Sequence, residues 1–174
     1  MIKLIIDGRQ IEVESGITVL RAAQKSGIDI PALCYHPAVE PYGGCRLCIV
    51  EIDGIRGFPT ACTTVVENGM IVKTNSEQLQ NLRRQVFELI LSEHNKSCTI
   101  CAKNLRCELQ KVAAYLGVDK LPFPFIEKNF PEYKEEPFFD RNYNLCILCG
   151  RCVRVCEEIR KNNAIDFKRC ADFI

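Results

Sequence analysis

Residues 31–62 read PALCYHPAVEPYGGCRLCIVEIDGIRGFPTAC. Within them Cys34, Cys45, Cys48 and Cys62 fall at a C-x10-C-x2-C-x13-C spacing. A C-x2-C pair puts two thiolates on one loop turn, close enough to share a metal, and two single cysteines from outside the turn complete four ligands. Four thiolates are what a [2Fe–2S] cluster requires. Gly43 and Gly44 immediately before Cys45 let the backbone fold tightly enough for N–H groups to face sulfide, and such donors stabilise the more negative reduced state. Structural zinc could use the same thiolates, but zinc sites usually set C-x2-C against a second C-x2-C, which is missing here.

Outward from this loop, the flanking text reads as a small mixed sheet with one helix across it. Ile2 to Ile6 form an apolar β-rich run, Asp7-Gly8 is a hairpin turn, and Ile11 and Val13 alternate with Glu12 and Glu14 as in a half-buried strand. Thr18 caps a short helix with Val19, Leu20, Ala22 and Ala23 facing inward, and Gly27 ends it. After the loop, Ile49 to Ile52 and Met70 to Val72 are expected strands, with Asn68-Gly69 as the turn before the latter. A long helix is expected over 76–92 from the recurrence of Leu79, Leu82, Val86, Leu89 and Ile90, with Thr74-x-x-Glu77 as its capping box. A second helix follows Cys107, with Leu109, Val112, Ala113 and Leu116 on one face and Gly117 at its end. The stretch LPFPFIEKNFPEYKEEPFF carries Pro122, Pro124, Pro131 and Pro137 and is expected to be an ordered connector over the surface.

The whole chain of 174 residues contains twelve cysteines, and its charge of +1 is nearly balanced. No polybasic run points to nucleic acid or a membrane surface. The N-terminal apolar run is short and is broken by Asp7 and Gly8, unlike a signal peptide, and nothing approaches the ~18 apolar residues of a membrane span. A reducing, cytoplasmic setting is expected, where clustered thiols hold metal in preference to forming disulfides.

Two more cysteine groups follow. His94, Cys98, Cys101 and Cys107 are spaced H-x3-C-x2-C-x5-C at the end of the long helix. A histidine at a helix C-terminus is ordinarily a partner of the helix dipole. Here only three cysteines accompany it, and a neutral imidazole completes four ligands; zinc held by three cysteines and one histidine is the rival on spacing alone. The third group is Cys146, Cys149, Cys152 and Cys156 in NLCILCGRCVRVCEEI, the C-x2-C-x2-C-x3-C run of bacterial ferredoxins, which points to a [4Fe–4S] cluster. Glu157 stands where those ferredoxins have proline, and there is no second run to exchange the fourth cysteine. The fourth ligand is therefore open among Cys156, Cys170 and a partner.

The three groups in this order, on PALCYHP, GGCRLCIVEIDG, TACTT, FELILSEHNKSCTICAKNLRCELQ and CILCGRCVRVCEEI, resemble the iron–sulfur subunit family of NAD(P)-linked hydrogenases. The family includes the diaphorase iron–sulfur subunit, the N-terminal region of multimeric [FeFe] hydrogenases, formate dehydrogenase subunits and the large iron–sulfur subunit of NADH dehydrogenase. The resemblance implies an α+β chain in three parts. These are a β-grasp [2Fe–2S] ferredoxin domain over 1–75, a small helical [4Fe–4S] domain with one histidine and three cysteine ligands over 76–120, and a connector with a half-ferredoxin-like [4Fe–4S] segment over 121–174. It implies one [2Fe–2S] cluster on Cys34, Cys45, Cys48 and Cys62, and a [4Fe–4S] cluster on His94, Cys98, Cys101 and Cys107. A second [4Fe–4S] cluster would engage the third group; the family continues with another ferredoxin motif, which does not occur before Ile174.

No nucleotide-binding fingerprint or catalytic constellation is present, and His36 reads as a loop residue. The expected role is electron relay between a flavin/NAD(P)H-binding iron–sulfur subunit and a hydrogenase catalytic subunit, or a formate-oxidising one. The alternatives are an NADH dehydrogenase iron–sulfur module, a zinc-stapled interaction scaffold, and a redox sensor, for which no DNA-reading element is visible.

Overall fold

Asp7 and Gly8 both hold positive φ, +49° and +77°, the backbone of a two-residue hairpin whose twist matches its strands. They join β1 (Ile2–Ile6) to an antiparallel β2 (Arg9–Val13), with Ile2 opposite Val13 and Ile6 opposite Arg9. The computed structural model describes residues 1–94, 98–120, 122–133 and 141–167. Cys170, Pro137 and Phe139 lie outside the described residues.

The alternation read in β1 and β2 is the observed one, with Leu4, Ile6, Ile11 and Val13 buried. Helix α1 (Val19–Lys25) starts where Thr18 accepts the Arg21 N–H and buries the four expected residues, Val19, Leu20, Ala22 and Ala23. The chain then runs through the first cysteine loop into β3 (Glu51–Ile52) and β4 (Ile71–Lys73). The sheet order is β2-β1-β4-β3, with β1 parallel to β4 and antiparallel pairs on either side. β3 is shorter than expected, and β4 is shifted by one residue. Ile49 makes an isolated bridge to Thr60 and Val50 donates to Pro59, because the cysteine loop folds back on itself there, and Met70 belongs to the turn that precedes β4. The core between sheet and α1 contains Cys48 and Cys62.

Helix α2 (Glu77–Ser92) corrects two expectations. Its cap is Ser76, which accepts the Leu79 N–H, and not Thr74. Thr74 is committed elsewhere: its N–H and hydroxyl both donate to the Asp7 carboxylate, tying the end of β4 to the first hairpin. The buried stripe of α2 is Leu79, Arg83 and Phe87; Leu82 is only half-buried and Leu89 is 56% exposed. Helix α3 (Glu108–Leu116) buries Leu109, Val112 and Leu116 and ends at Gly117, φ +62°. With Phe87 these residues build a second core that also takes Leu33 and Leu47 from the first cysteine loop, and Cys45, Cys107 and Ile147 pack at its edge. Text from all three cysteine groups thus meets at one apolar centre.

The connector has little regular structure, as expected, and is pinned by hydrogen bonds. Ile126 N–H donates to the Ser92 carbonyl, Lys128 Nζ donates to the Cys146 carbonyl, and Phe130 and Asn144 exchange two bonds. A short pair of strands, β5 (Glu132–Tyr133) and β6 (Arg141–Asn142), was not anticipated in so proline-rich a stretch. Cys146 and Cys149 of the third group lie in the loop that follows, Cys152 on α4 (Arg151–Arg154) and Cys156 on a π-helical turn over Val155–Ile159. Among the described residues no helix is long and apolar enough to cross a membrane.

Candidate iron–sulfur sites

The first quartet comes together because the chain alternates its burial through the loop. Leu33 and Leu47 turn into the second core while Cys48 turns toward the first and Cys34 is fully buried. Cys62 is carried in on the turn after Thr60, where its neighbour Ala61 donates its N–H to the Cys48 carbonyl at 2.7 Å. The four sulfurs are near enough to share protons. Hydrogen bonds from the Cys45 and Cys62 thiols hold Cys34 well below the ordinary thiol range, helped by backbone N–H groups of Cys45 and Gly44 and opposed by burial. Cys48 is lowered in the same way by Cys62. Their donors are pushed up: Cys45 by its bond to Cys34, and Cys62 by its bonds to Cys34 and Cys48, with burial adding to both.

Backbone donors face the sulfurs as the glycine pair suggests. Leu33 N–H approaches Cys45 Sγ at 3.5 Å. The glycines are required by space as well as by dihedral angle: a Cβ on Gly44 would stand 2.1 Å from the Tyr42 ring, and Gly43 has φ +68° with Thr60 and Thr63 at 3.2 Å. A pocket of thiolates, with N–H groups aimed at sulfur and no room for a side chain, suits a sulfide-bridged iron pair. His36 is exposed and its Nδ1 accepts the Ala38 N–H, in keeping with a loop role.

The second group lines a single cavity of about 250 Å³, whose walls include His94, Cys98, Cys101 and Cys107 with Leu91 and Leu145. The helix α2 delivers His94 just beyond its last turn, with the His94 N–H bonded to the Leu91 carbonyl. The His94 Nδ1 is buried without a hydrogen-bond partner among the described residues. Burial is the main cause that lowers its pKa, the Lys128 ammonium lowers it further, and a backbone hydrogen bond at Leu145 acts the other way. A neutral imidazole with a lone buried nitrogen beside three thiols is the donor set of a metal ligand.

The third group is less uniform. Cys156 is buried on the π-helical turn and its Sγ accepts the Ala164 N–H at 3.2 Å, whereas Cys152 is exposed and Cys146 and Cys149 are half-buried. Cys146 Sγ accepts the Leu148 N–H at 3.4 Å, the same sulfur-directed pattern as in the first loop. Sequence reasoning missed Arg83 and Arg154, two buried arginines that bond to the carbonyls of the first loop. Nothing in a one-dimensional pattern distinguishes a buried arginine on an amphipathic helix from a solvated one.

Residues 1–77 match the family described as the 2Fe-2S iron-sulfur cluster binding domain, and residues 83–122 match the NADH-ubiquinone oxidoreductase-G iron-sulfur binding region. The chain is 39% identical over 165 residues to the NADPH-Fe(3+) oxidoreductase subunit alpha of Geobacter sulfurreducens, covering 95% of this chain and 20% of that protein. It is 38% identical over 165 residues to the NADP-reducing hydrogenase subunit HndD of Solidesulfovibrio fructosivorans, covering 92% of this chain and 28% of that one. It therefore spans 20% and 28% of the length of these curated relatives. A chain in the crystal structure of an NAD+-reducing [NiFe]-hydrogenase in the H2-reduced state superposes with a TM-score of 0.89 at 33% identity, over 97% of this chain and 71% of that one. One [2Fe–2S] cluster and [4Fe–4S] chemistry are thereby the cofactors of this fold. The chain belongs to the iron–sulfur subunit family shared by NAD(P)-linked hydrogenases, formate dehydrogenases and NADH dehydrogenases.

Proposed function

We propose that this chain is an electron-relay module whose clusters pass electrons between a flavin/NAD(P)H-binding iron–sulfur subunit and the catalytic subunit of a hydrogenase. The observation that carries this reading is the convergence of two ligand sets on one apolar core. Cys34, Cys48 and Cys62 of the first quartet are fully buried and Cys45 packs at the second core, while the cavity of His94 and its three cysteines is lined by Leu109 and Cys107 of that same core. Clusters accept and donate electrons without moving heavy atoms, so the protein's part is to fix their separation and tune their potentials. In this reading Cys34, Cys45, Cys48 and Cys62 hold the [2Fe–2S] cluster in a domain over 1–75. His94, Cys98, Cys101 and Cys107 hold a [4Fe–4S] cluster over 76–120, and residues 121–174 contribute Cys146, Cys149 and Cys152 to a second, whose fourth ligand is open among Cys156, Cys170 and a partner.

Hydrogenase partners are favoured over formate-oxidising ones by the two hydrogenase relatives, one of them matched over most of its chain. Unpaired thiols in such numbers fit a reducing, cytoplasmic setting. Cys48→Ala tests the first ligand set: the [2Fe–2S] EPR signal of the dithionite-reduced protein should vanish while other signals persist. A retained signal would refute the assignment. A colourless protein with stoichiometric zinc would establish the scaffold reading instead, and the subunits that co-purify with the chain decide which catalytic partner it serves.

A further inference from the structure

Two arginines from the other cysteine modules reach into the loop that holds the first quartet. Arg83, on α2, is fully buried; its Nε donates to the Leu47 carbonyl at 2.9 Å and its Nη2 to the Ile49 carbonyl at 2.7 Å, so the guanidinium straddles Cys48. Its Nη1 has no hydrogen-bond partner, and no carboxylate forms a salt bridge with it among the described residues. A cation withdrawn from water in this way is strongly disfavoured unless a negative group lies nearby. Burial draws the Arg83 pKa down, and the groups that pull it back up are Tyr115, Cys48 and Asp7. Of these, Cys48 belongs to the very loop that the guanidinium holds.

Arg154 repeats the arrangement from the opposite end of the chain. It lies between Cys152 and Cys156, is 8% exposed, and donates to the carbonyls of Glu40 and Cys34. Its guanidinium lies 5.5 Å from the centre of the Tyr42 ring, the ring that fills the space beside Gly44. One arginine holds the backbone at Cys48 and the other holds it at Cys34.

We propose that Arg83 and Arg154 are positioning residues that fix the ligand loops of the first centre and supply the fixed positive charge balancing its reduced state. The proposal rests on the reading of Cys34, Cys45, Cys48 and Cys62 as [2Fe–2S] ligands. Reduction adds one electron to the cluster, taking one ferric iron to ferrous with no bond made or broken and no proton required. A fixed cation in a water-poor site stabilises that extra negative charge more than it stabilises the oxidised cluster.

The test is an EPR-monitored redox titration of the full chain with dithionite as reductant, on Arg83→Met, Arg154→Met and Arg83→Lys. Arg83→Met should retain the [2Fe–2S] signal with reduction about tenfold less favourable, a downward shift of about 59 mV for a one-electron couple. Arg83→Lys keeps the charge and should stay near the unsubstituted potential. A full signal at an unmoved potential in Arg83→Met overturns the proposal. If that variant does not load iron, Arg154→Met decides in the same way, a lowered potential supporting the proposal and an unmoved one overturning it. If neither neutral variant loads, Arg83→Lys decides: loading at near-native potential supports the charge role, and failure to load leaves a purely geometric demand and overturns it. Absence of a [2Fe–2S] signal from the unsubstituted chain would instead overturn the ligand assignment beneath the proposal.

Discussion

At His94, counting ligands and the surroundings of the side chain bear on the same reading. Three cysteines in the second group leave one coordination position, and the H-x3-C spacing points to the imidazole. The structure adds what spacing lacks: a buried Nδ1 with no partner among the described residues, and an environment that keeps the ring neutral. Replacing a thiolate by neutral imidazole removes negative charge from a cluster, which favours the reduced state and raises the potential, as in Rieske centres. His94→Cys should therefore still bind iron, with its cluster titrating at a lower potential. His94→Ala should leave an open iron site and a cluster that is lost on gel filtration. If His94 served only as a dipole partner of α2, worth less than about 1 kcal/mol, both variants would keep iron and potential unchanged.

At the scale of the element, α2 was legible as a helix but not in its rotation. The recurrence of leucines sets the helix over 76–92, close to the observed Glu77–Ser92, yet it points to Leu82 and Leu89 as core residues. The buried line passes through Arg83 and Phe87, because the guanidinium finds the Leu47 and Ile49 carbonyls inside and the helix must turn that face inward. A pattern of apolar residues cannot register a polar side chain whose partners lie more than thirty positions away. The cap was misread for a related reason: Thr74 has the chemistry of a cap, but Asp7, distant in sequence, claims it. The β1–β2 hairpin and α1 depend on neighbours in sequence, and both were readable. The rotation of α2 predicts a contrast in stability. Phe87→Ala, in the second core, should cost about 3–5 kcal/mol in a urea melt of the apo chain. Leu89→Ala, on the exposed side, should change stability by less than about 0.5 kcal/mol. Equal losses would mean that the helix sits in the rotation its leucines suggest.

Across the whole molecule, the first two ligand sets and the third differ in how far the chain itself assembles them. Local spacing marks the first quartet and the His94 group as candidate ligand sets, since turns, one helix end and the short fold around them bring their residues near one another. The third group is a recognisable run, but which sulfur completes it depends on residues distant in the chain. In the structure Cys156 is turned into the interior, where its sulfur accepts the Ala164 N–H, while Cys152 faces outward. The backbone that aims them is specified closely: Gly150 caps the start of α4 at φ +68°, and a Cβ there would meet the Phe167 ring at 2.8 Å. The following π-helical turn, a geometry common at functional sites, changes the direction in which Cys156 points relative to a continuous α-helix. Two sulfurs in such unlike surroundings argue that Cys156 is not an equal fourth partner of Cys146, Cys149 and Cys152. Iron analysis of the anaerobically reconstituted chain separates the outcomes. One [2Fe–2S] and one [4Fe–4S] cluster give about six iron atoms per chain, and a filled third site gives about ten. The divergence between a buried Cys156 and an exposed Cys152 predicts that Cys156→Ser leaves the iron content unchanged, whereas Cys149→Ser lowers any value near ten to about six. Loss of about four iron atoms in Cys156→Ser as well would show that Cys156 turns out of the interior to close the third cluster.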